Sequence, residues 1–471
     1  MVAFIKAGRT SGIVGGGAYN TLVGMGIMSE RTKDLHYEPR QFPQGFLWGT
    51  GTSSYQVEGG NQRADWWKWE QEGGHIADGT TSGRAVDYWN RYREDFALAS
   101  EHLHNNAYRM SVEWSRLEPS EGEWDEEAFT HYREMLTEAK RCGLQIMLTV
   151  HHFTNPQWLM DKGGWETRKV IHFYTRFVQK LCDELGEFVD LWCTINEPMV
   201  YVLQGYIFLE WPPQRRSYYK AAKVVWHQTR CHRAAYKLIH AWAHERNRVT
   251  HVGIANNVSS MTIYRKHSFL DHLAAALIDR GMNHVFYYLS GMRTHDYLGL
   301  NYYFHFRIKS VWDFLKRKGP VETSQSAQFE SSDIGWELFP HGIFDVCMDM
   351  AGYKKPIYIT ENGLATTNDD KRIRVIVGFL MQLHYAVQEG ADVRGYFHWS
   401  LLDNFEWAKG YAPTFGLVEV DRASMRRTPR TSAMVYGMIA EKNAIEHDFL
   451  RFLGHGTTDI LNEWKKSHTQ T

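Results

Sequence analysis

Eight short apolar runs are spaced along residues 46–398, and each leads through a polar or glycine-bearing loop into a stretch with helical spacing. The runs are Phe46–Thr50, Ala107–Ser111, Gln145–His152, Leu191–Asn196, Val252–Asn256, Tyr297–Asn301, Pro356–Thr360 and Gly395–His398. They are continuous rather than alternating, as parallel strands covered on both faces are. Between them Trp89, Tyr92, Phe96, Ala99 and Leu103 step by three and four, as do Phe129, Tyr132, Leu136 and Ala139, and Val170, Tyr174, Phe177 and Leu181. Gly143 and Gly390 stand where helices should stop. No Pro- or Ser-rich linker interrupts residues 40–450. The pattern predicts an α/β fold, a single (β/α)8 TIM barrel, over a doubly wound sheet. No Gly-x-Gly-x-x-Gly follows the first run and no Gly-Lys-Ser/Thr loop occurs, which argues against a nucleotide fold.

The 471 residues suit one large barrel with elaborate loops. We expect a flexible N-terminal extension over 1–38, the barrel over 39–450 and a C-terminal tail over 451–471. Residues 10–29 are uncharged and follow Lys6 and Arg9, a faint likeness to an export signal. They are rich in glycine, include Asn20 and Thr21, and show no Ala-x-Ala cleavage site, so a cytoplasmic protein is expected, with export the alternative. Met25 or Met28 could serve as other starts. The stretch is too polar to span a bilayer. With 53 basic and 54 acidic residues, nothing points to nucleic acid or an anionic membrane as partner. Five cysteines, an odd number without close spacing, read as reduced thiols. There is no His-Glu-x-x-His, so neither a metal nor a cofactor is expected. The 18 tryptophans could fill a core or stack on the apolar faces of sugars, and for any one of them the two readings weigh equally.

In such a barrel the residues at the C-terminal ends of the strands meet at one mouth. Two of them are carboxylic acids that directly end an apolar run: Glu197 after the fourth and Glu361 after the seventh. Three strands apart around a closed barrel, they can face each other. Hydrolysis of a glycosidic bond needs such a pair, one carboxyl protonated to assist the leaving oxygen and the other ionised to attack carbon or activate water. Different surroundings would separate their pKa values. One strand-terminal glutamate is more often a surface or structural group. Two of them, with Arg109, His152, Tyr303 and two asparagines at neighbouring strand ends, shift that balance, although any one of these alone could be a hydrogen-bonded core residue.

These motifs resemble glycoside hydrolase family 1, the β-glucosidase/β-galactosidase family, over roughly residues 42–440. Thr-Ile-Asn-Glu-Pro at 194–198 and Ile-Thr-Glu-Asn-Gly at 359–363 are similar to its acid/base and nucleophile signatures. Trp-Ser-Leu-Leu-Asp-Asn-Phe-Glu-Trp at 399–407 resembles its strand-eight signature, and Phe-Leu-Trp-Gly-Thr with Tyr-Gln-Val-Glu-Gly its first strand and loop. The resemblance implies a retaining double displacement with Glu361 as nucleophile and Glu197 as acid/base. It implies that Arg109 and Tyr303 contact Glu361 and that Asn196 binds the sugar 2-hydroxyl. Gln56, His152 and Glu406 would hold the other hydroxyls, Trp399 would form a stacking floor, and Trp407 would bind a hydroxyl. The substrate would be a small β-glycoside or oligosaccharide. Glutamate at 197, rather than the glutamine of the family's thioglucosidases, fits an oxygen leaving group. Glu406 disfavours a 6-phosphorylated sugar. Asp65-Trp66-Trp67-Lys68-Trp69 on the first loop reads equally as leaving-group lining or as loop packing.

Three departures from the family stand out, one of them Thr414-Phe415-Gly416-Leu417 in place of its Arg-Phe-Gly-Leu after strand eight. The segment Asn257–Tyr297 is short, with Met282-Asn283-His284-Val285-Phe286 in place of the family's Asn-Asp-Trp-Phe-like run, and the loop after Glu361 passes quickly into a helix at Asn368–Arg372. Both are expected to open the leaving-group side, and the first to loosen the barrel. A catalytically weak carbohydrate-binding relative and a transglycosylase are the alternatives to a hydrolase. Nothing in the sequence bears on oligomeric state.

Overall fold

The computed structural model describes residues 39–263, 268–308 and 330–453. The expected N-terminal extension over 1–38 and most of the expected tail, 454–471, lie outside the described residues. Arg40–Ile445 forms one compact unit, and Glu446–Leu453, which carries a 3-10 turn over His447–Leu453, groups with the other.

Eight parallel strands close into a barrel in chain order. They are β1 (Leu47–Gly51), β2 (Ala107–Ser111), β3 (Gln145–His151), β4 (Leu191–Asn196), β5 (His251–Ile263), β6 (Leu298–Ile308), β7 (Ile357–Asn362) and β8 (Val393–Trp399). Closure is made by β1 on β8, in register from Leu47↔Gly395 to Gly51↔Trp399. Inside the barrel, Leu47, Ala107, Met147, Leu191, Cys193, Ala255, Tyr297 and Phe397 form one buried cluster. Strand and helix positions follow the apolar runs, and Gly143 (φ +76°) and Gly390 (φ +96°) take the left-handed conformation that ends the helices before β3 and β8. The helix Glu126–Arg141 is capped by Asp125 on the Ala128 amide, with two glutamates in its first turn and Lys140 and Arg141 in its last, matching the helix dipole.

Two strands differ from the sequence reading. Expected to stop at Asn256 and Asn301, β5 and β6 run on to Ile263 and Ile308 and stay paired to the register Ile263↔Ile308. Beyond the rim their residues alternate instead of forming an apolar run. One face of this ribbon, with Met261, Ile263, Phe304, Phe306 and Ile308, packs on Ala274, Ala275 and Ile278 of the helix α1 (Phe269–Asp279), and on the other the buried His305 stacks on Phe339 (centroids 3.9 Å). The short segment therefore accompanies longer, paired strands and not the loosened barrel expected there. A single register shift, Val258↔Tyr302 followed by Ser259↔Phe304, leaves Tyr303 as the extra residue of a bulge. After β7 the chain enters the helix Asp369–Gln388 at once, capped by the Asn368 side chain on the Lys371 amide. None of the five cysteines is paired. Among the described residues no helix is long and apolar enough to cross a membrane.

Candidate active site

The strand ends surround a cavity of about 450 Å³ whose lining includes His152, Glu197, Tyr303, Glu361, Trp399, Glu406 and Trp407. Glu361 is the next-to-last residue of β7. Glu197 follows β4 in the left-handed conformation (φ 44°, ψ 59°), and Pro198 begins a short helix directly after it. A non-glycine residue there costs roughly 1–3 kcal/mol, the kind of local strain that collects at functional sites. Gly363 lies against the Trp399 carbonyl, where an added Cβ would come within 1.9 Å, so the turn after Glu361 can pass only because it lacks a side chain.

The two carboxyl groups sit in unlike hydrogen-bond shells. Arg109, fully buried on β2, donates to Glu361 Oε1 through Nη1. Its Nη1 also reaches the Thr360 carbonyl (3.3 Å), and its Nη2 donates to Asn196 Oδ1 (2.6 Å). Tyr303 Oη donates to Glu361 Oε2 (3.0 Å). The Tyr303 ring is held by Trp336 and Phe415, with ring centroids 5.6 and 6.2 Å away. Among the described residues the Glu197 carboxyl receives two neutral donors, both on Oε1: Asn257 Nδ2 (3.1 Å) and Asn301 Nδ2 (3.0 Å). Asn301 also donates to Asn196 Oδ1 (3.1 Å) and accepts from Thr360 Oγ1 (2.7 Å). A continuous polar chain thus runs from Glu197 through Asn301, Asn196 and Arg109 to Glu361.

Burial pushes the Glu197 carboxyl up to about 8, with the Glu361 charge adding to the rise and the two asparagine amides opposing it. Glu406 is likewise pushed up to about 8, by burial first and then by Glu361. Burial works against the charge of Arg109, yet Glu361 holds its pKa above the usual arginine range. The pocket therefore holds one charge-balanced ion pair, Arg109–Glu361, beside two carboxyls that favour the proton. A carboxyl raised in the folded state contributes stability that is complete below its unfolded value near 4.5 and is lost as pH rises through about 8. The melting temperature should accordingly fall across that window, and Glu197→Gln and Glu406→Gln should each flatten the fall. Parallel melting curves for wild type and variants against pH would contradict the assignment.

On the opposite side, the His152 ring lies nearly parallel to Trp399 (centroids 5.8 Å, 18°) and to Trp407 (6.0 Å, 15°). Burial first and then Arg109 hold its pKa well below the histidine range, so the ring is neutral. Its Nε2 accepts from Asn196 Nδ2 (3.2 Å), which places the proton on Nδ1, and that buried atom has no partner among the described residues. A ligand hydroxyl could accept from it. Asn196, Arg109 and Gln56 are buried and contribute little surface to the empty cavity. Gln56 Nε2 donates to Asn404 Oδ1 (2.9 Å), the Phe405 carbonyl (2.9 Å) and Glu406 Oε2 (3.3 Å), and so holds the strand-eight loop. The tryptophan-rich loop divides: Trp69 lines the cavity, while Trp66 is buried against Trp407 (4.8 Å). The sequence reading gave no role to Asn257, Asn301, Met282, Phe304 or Phe306. Asn301 closes an apolar run and could have been found by the rule that singled out Glu361. The others lie beyond the expected strand ends.

Residues 38–292 and 286–445 match the model for glycosyl hydrolase family 1. Beta-glucosidase A of Acetivibrio thermocellus is 30% identical over 448 residues, covering 85% of this chain and 98% of that protein. A beta-galactosidase of Pyrococcus woesei is 27% identical over 515 residues, covering 87% of this chain and all of that protein. The solved structure of a beta-glycosidase from Pyrococcus horikoshii superposes with a TM-score of 0.80 at 37% identity, covering 88% of this chain and 99% of that one.

Proposed function

The chain belongs to glycosyl hydrolase family 1, and from that membership we propose a retaining, exo-acting β-glycosidase that removes terminal β-D-glucosyl residues and also accepts β-galactosides and β-fucosides. The unequal environments of Glu197 and Glu361 around one cavity carry this reading. Glu361, oriented by Arg109 and Tyr303, attacks the anomeric carbon as the bond to the leaving oxygen breaks. Glu197, kept protonated by burial, transfers its proton to that oxygen. Once Glu361 is esterified to the sugar its negative charge is gone, and with it the part of the Glu197 shift that the charge caused. Glu197 then becomes the better base. It takes a proton from the incoming water, whose oxygen displaces Glu361 from the anomeric carbon and returns both groups to their starting states.

Asn196 serves the sugar 2-hydroxyl in this reading, and His152, Glu406 and Trp407 serve the remaining hydroxyls over a floor formed by Trp399. Gln56 acts on the sugar through Glu406. The names of the relatives, beta-glucosidase and beta-galactosidase, support the glucoside and galactoside part of this range. The unpaired cysteines support a cytoplasmic site of action. Two displacements at one carbon retain configuration. Proton NMR of aryl β-D-glucoside hydrolysis should show the β-anomer of glucose first, with the α-anomer appearing only by mutarotation; the α-anomer as first product would refute the mechanism.

A further inference from the structure

On the outside of the barrel, behind the cavity wall, three side chains converge that the proposed reaction does not use. They are Asp279, the last residue of α1, His284, the last residue of the turn Arg280–His284, and Asp349 on the helix His341–Ala351. Their ligand atoms all lie within 4.8 Å of one another. His284 Nε2 is 2.9 Å from Asp349 Oδ2 and 3.4 Å from Asp279 Oδ2. Ligand atoms around a tetrahedral zinc ion at about 2.0–2.1 Å lie about 3.4 Å apart, and the two distances from His284 Nε2 fall at or within about half an ångström of that value.

Two features orient the group. Residues five apart on an α-helix point about 140° away from each other around the axis. The turn Arg280–His284 is instead a π-turn, with i→i+5 hydrogen bonding, which returns His284 to the face of Asp279. The two ligands are also fixed from behind, as metal ligands are. Tyr353 Oη meets His284 Nδ1 at 2.7 Å, leaving Nε2 for the cluster, and Asn283 Nδ2 donates to Asp279 Oδ1 (2.8 Å), leaving Oδ2. Asn283 in turn clamps the turn to β5 through the Ser259 amide and carbonyl (3.0 and 2.9 Å). The groups that face His284 are Asp279, Asp349, Tyr353 and the ring of Tyr288 (5.7 Å, 16°).

We propose that Asp279, His284 and Asp349 form a binding site for a divalent ion of the Zn2+ class, with water completing its coordination, that staples the π-turn to the helix His341–Ala351. The imidazole nitrogen and two carboxylate oxygens suit a borderline ion better than Ca2+ or Mg2+, which prefer all-oxygen shells. The ion would replace the proton that otherwise holds the two aspartates to His284. Met282, which lines the cavity, lies in the same turn, so the staple would also steady the wall of the candidate active site.

The test is calorimetric titration of the full-length, chelator-stripped protein with Zn2+, beside His284→Gln and Asp349→Asn, at two pH values. Asp349 is half exposed, so its variant keeps the fold even where the histidine variant does not. One Zn2+ per chain should bind the wild type, at least about tenfold more weakly in each variant, and more tightly at the higher pH, where the competing proton is easier to remove. Co2+ should give a visible absorption band that both variants lose. Absence of saturable binding in the wild type would make the cluster an ion-pair knot only. Binding that survives in both variants would place the ion elsewhere. Either result overturns the proposal.

Discussion

Glu361→Gln should lower kcat/KM on aryl β-D-glucosides by about 10⁴-fold or more, some 5 kcal/mol of transition-state stabilisation. The substitution keeps the shape of the side chain and removes its charge. The amide cannot attack the anomeric carbon, and the buried Arg109 loses the carboxylate it is paired with. An unpaired buried charge is costly, so the variant should also melt lower than wild type, and fold must be checked alongside rate. The same variant has a second readout. The Glu361 charge helps hold the Glu197 proton, so Glu197 in the Glu361→Gln variant should titrate below about 8. NMR titration of the Glu197 carboxyl checks this without turnover. A variant that retains full activity would remove Glu361 from the mechanism.

Glu197→Gln should divide substrates by leaving group. With an alkyl or sugar leaving group, which needs a proton, kcat/KM should fall by about 10²–10⁴-fold. With a nitrophenyl leaving group the first step should be affected far less, and the defect should move to the second step, where no base remains to activate water. A burst of nitrophenol followed by slow turnover would show the covalent intermediate accumulating. The pH profile gives the sign: Glu197 must carry its proton in the first step, so wild-type kcat/KM should decline as pH rises through about 8, and the variant should decline less steeply, with Glu406 alone left to titrate there. Equal losses on good and poor leaving groups would deny Glu197 the acid role.

Much of the frame was legible before any coordinates. Continuous apolar runs mark strands buried on both faces, and six of the eight lie within about two residues of the observed strand ends. Glu361 was visible because it directly ends an apolar run, and Arg109 because it belongs to a neighbouring one. The extensions of β5 and β6 were not visible, because past the rim the pattern changes from a run to an alternation that reads as loop. The contacts of Gln56 were not visible either: its amide meets Asn404, Phe405 and Glu406, 348 to 350 residues further along the chain. The approach of Asp279 to His284 could not be inferred from spacing, since five residues apart is the wrong interval for one face of an α-helix.

By itself the sequence determined that the chain closes into an eight-stranded barrel and that Glu197 and Glu361 end its fourth and seventh strands. That follows from chain order and periodicity, because strands that alternate with helices bring their C-terminal ends to one rim. Which carboxyl keeps its proton was decided only in the tertiary structure. Charge and burial act through space: Arg109 from β2 and Tyr303 from the β6 bulge donate to Glu361, while the side chains of Asn257 and Asn301 donate to Glu197. No local pattern around either glutamate encodes these partners, which come from strands up to 252 residues away in the chain.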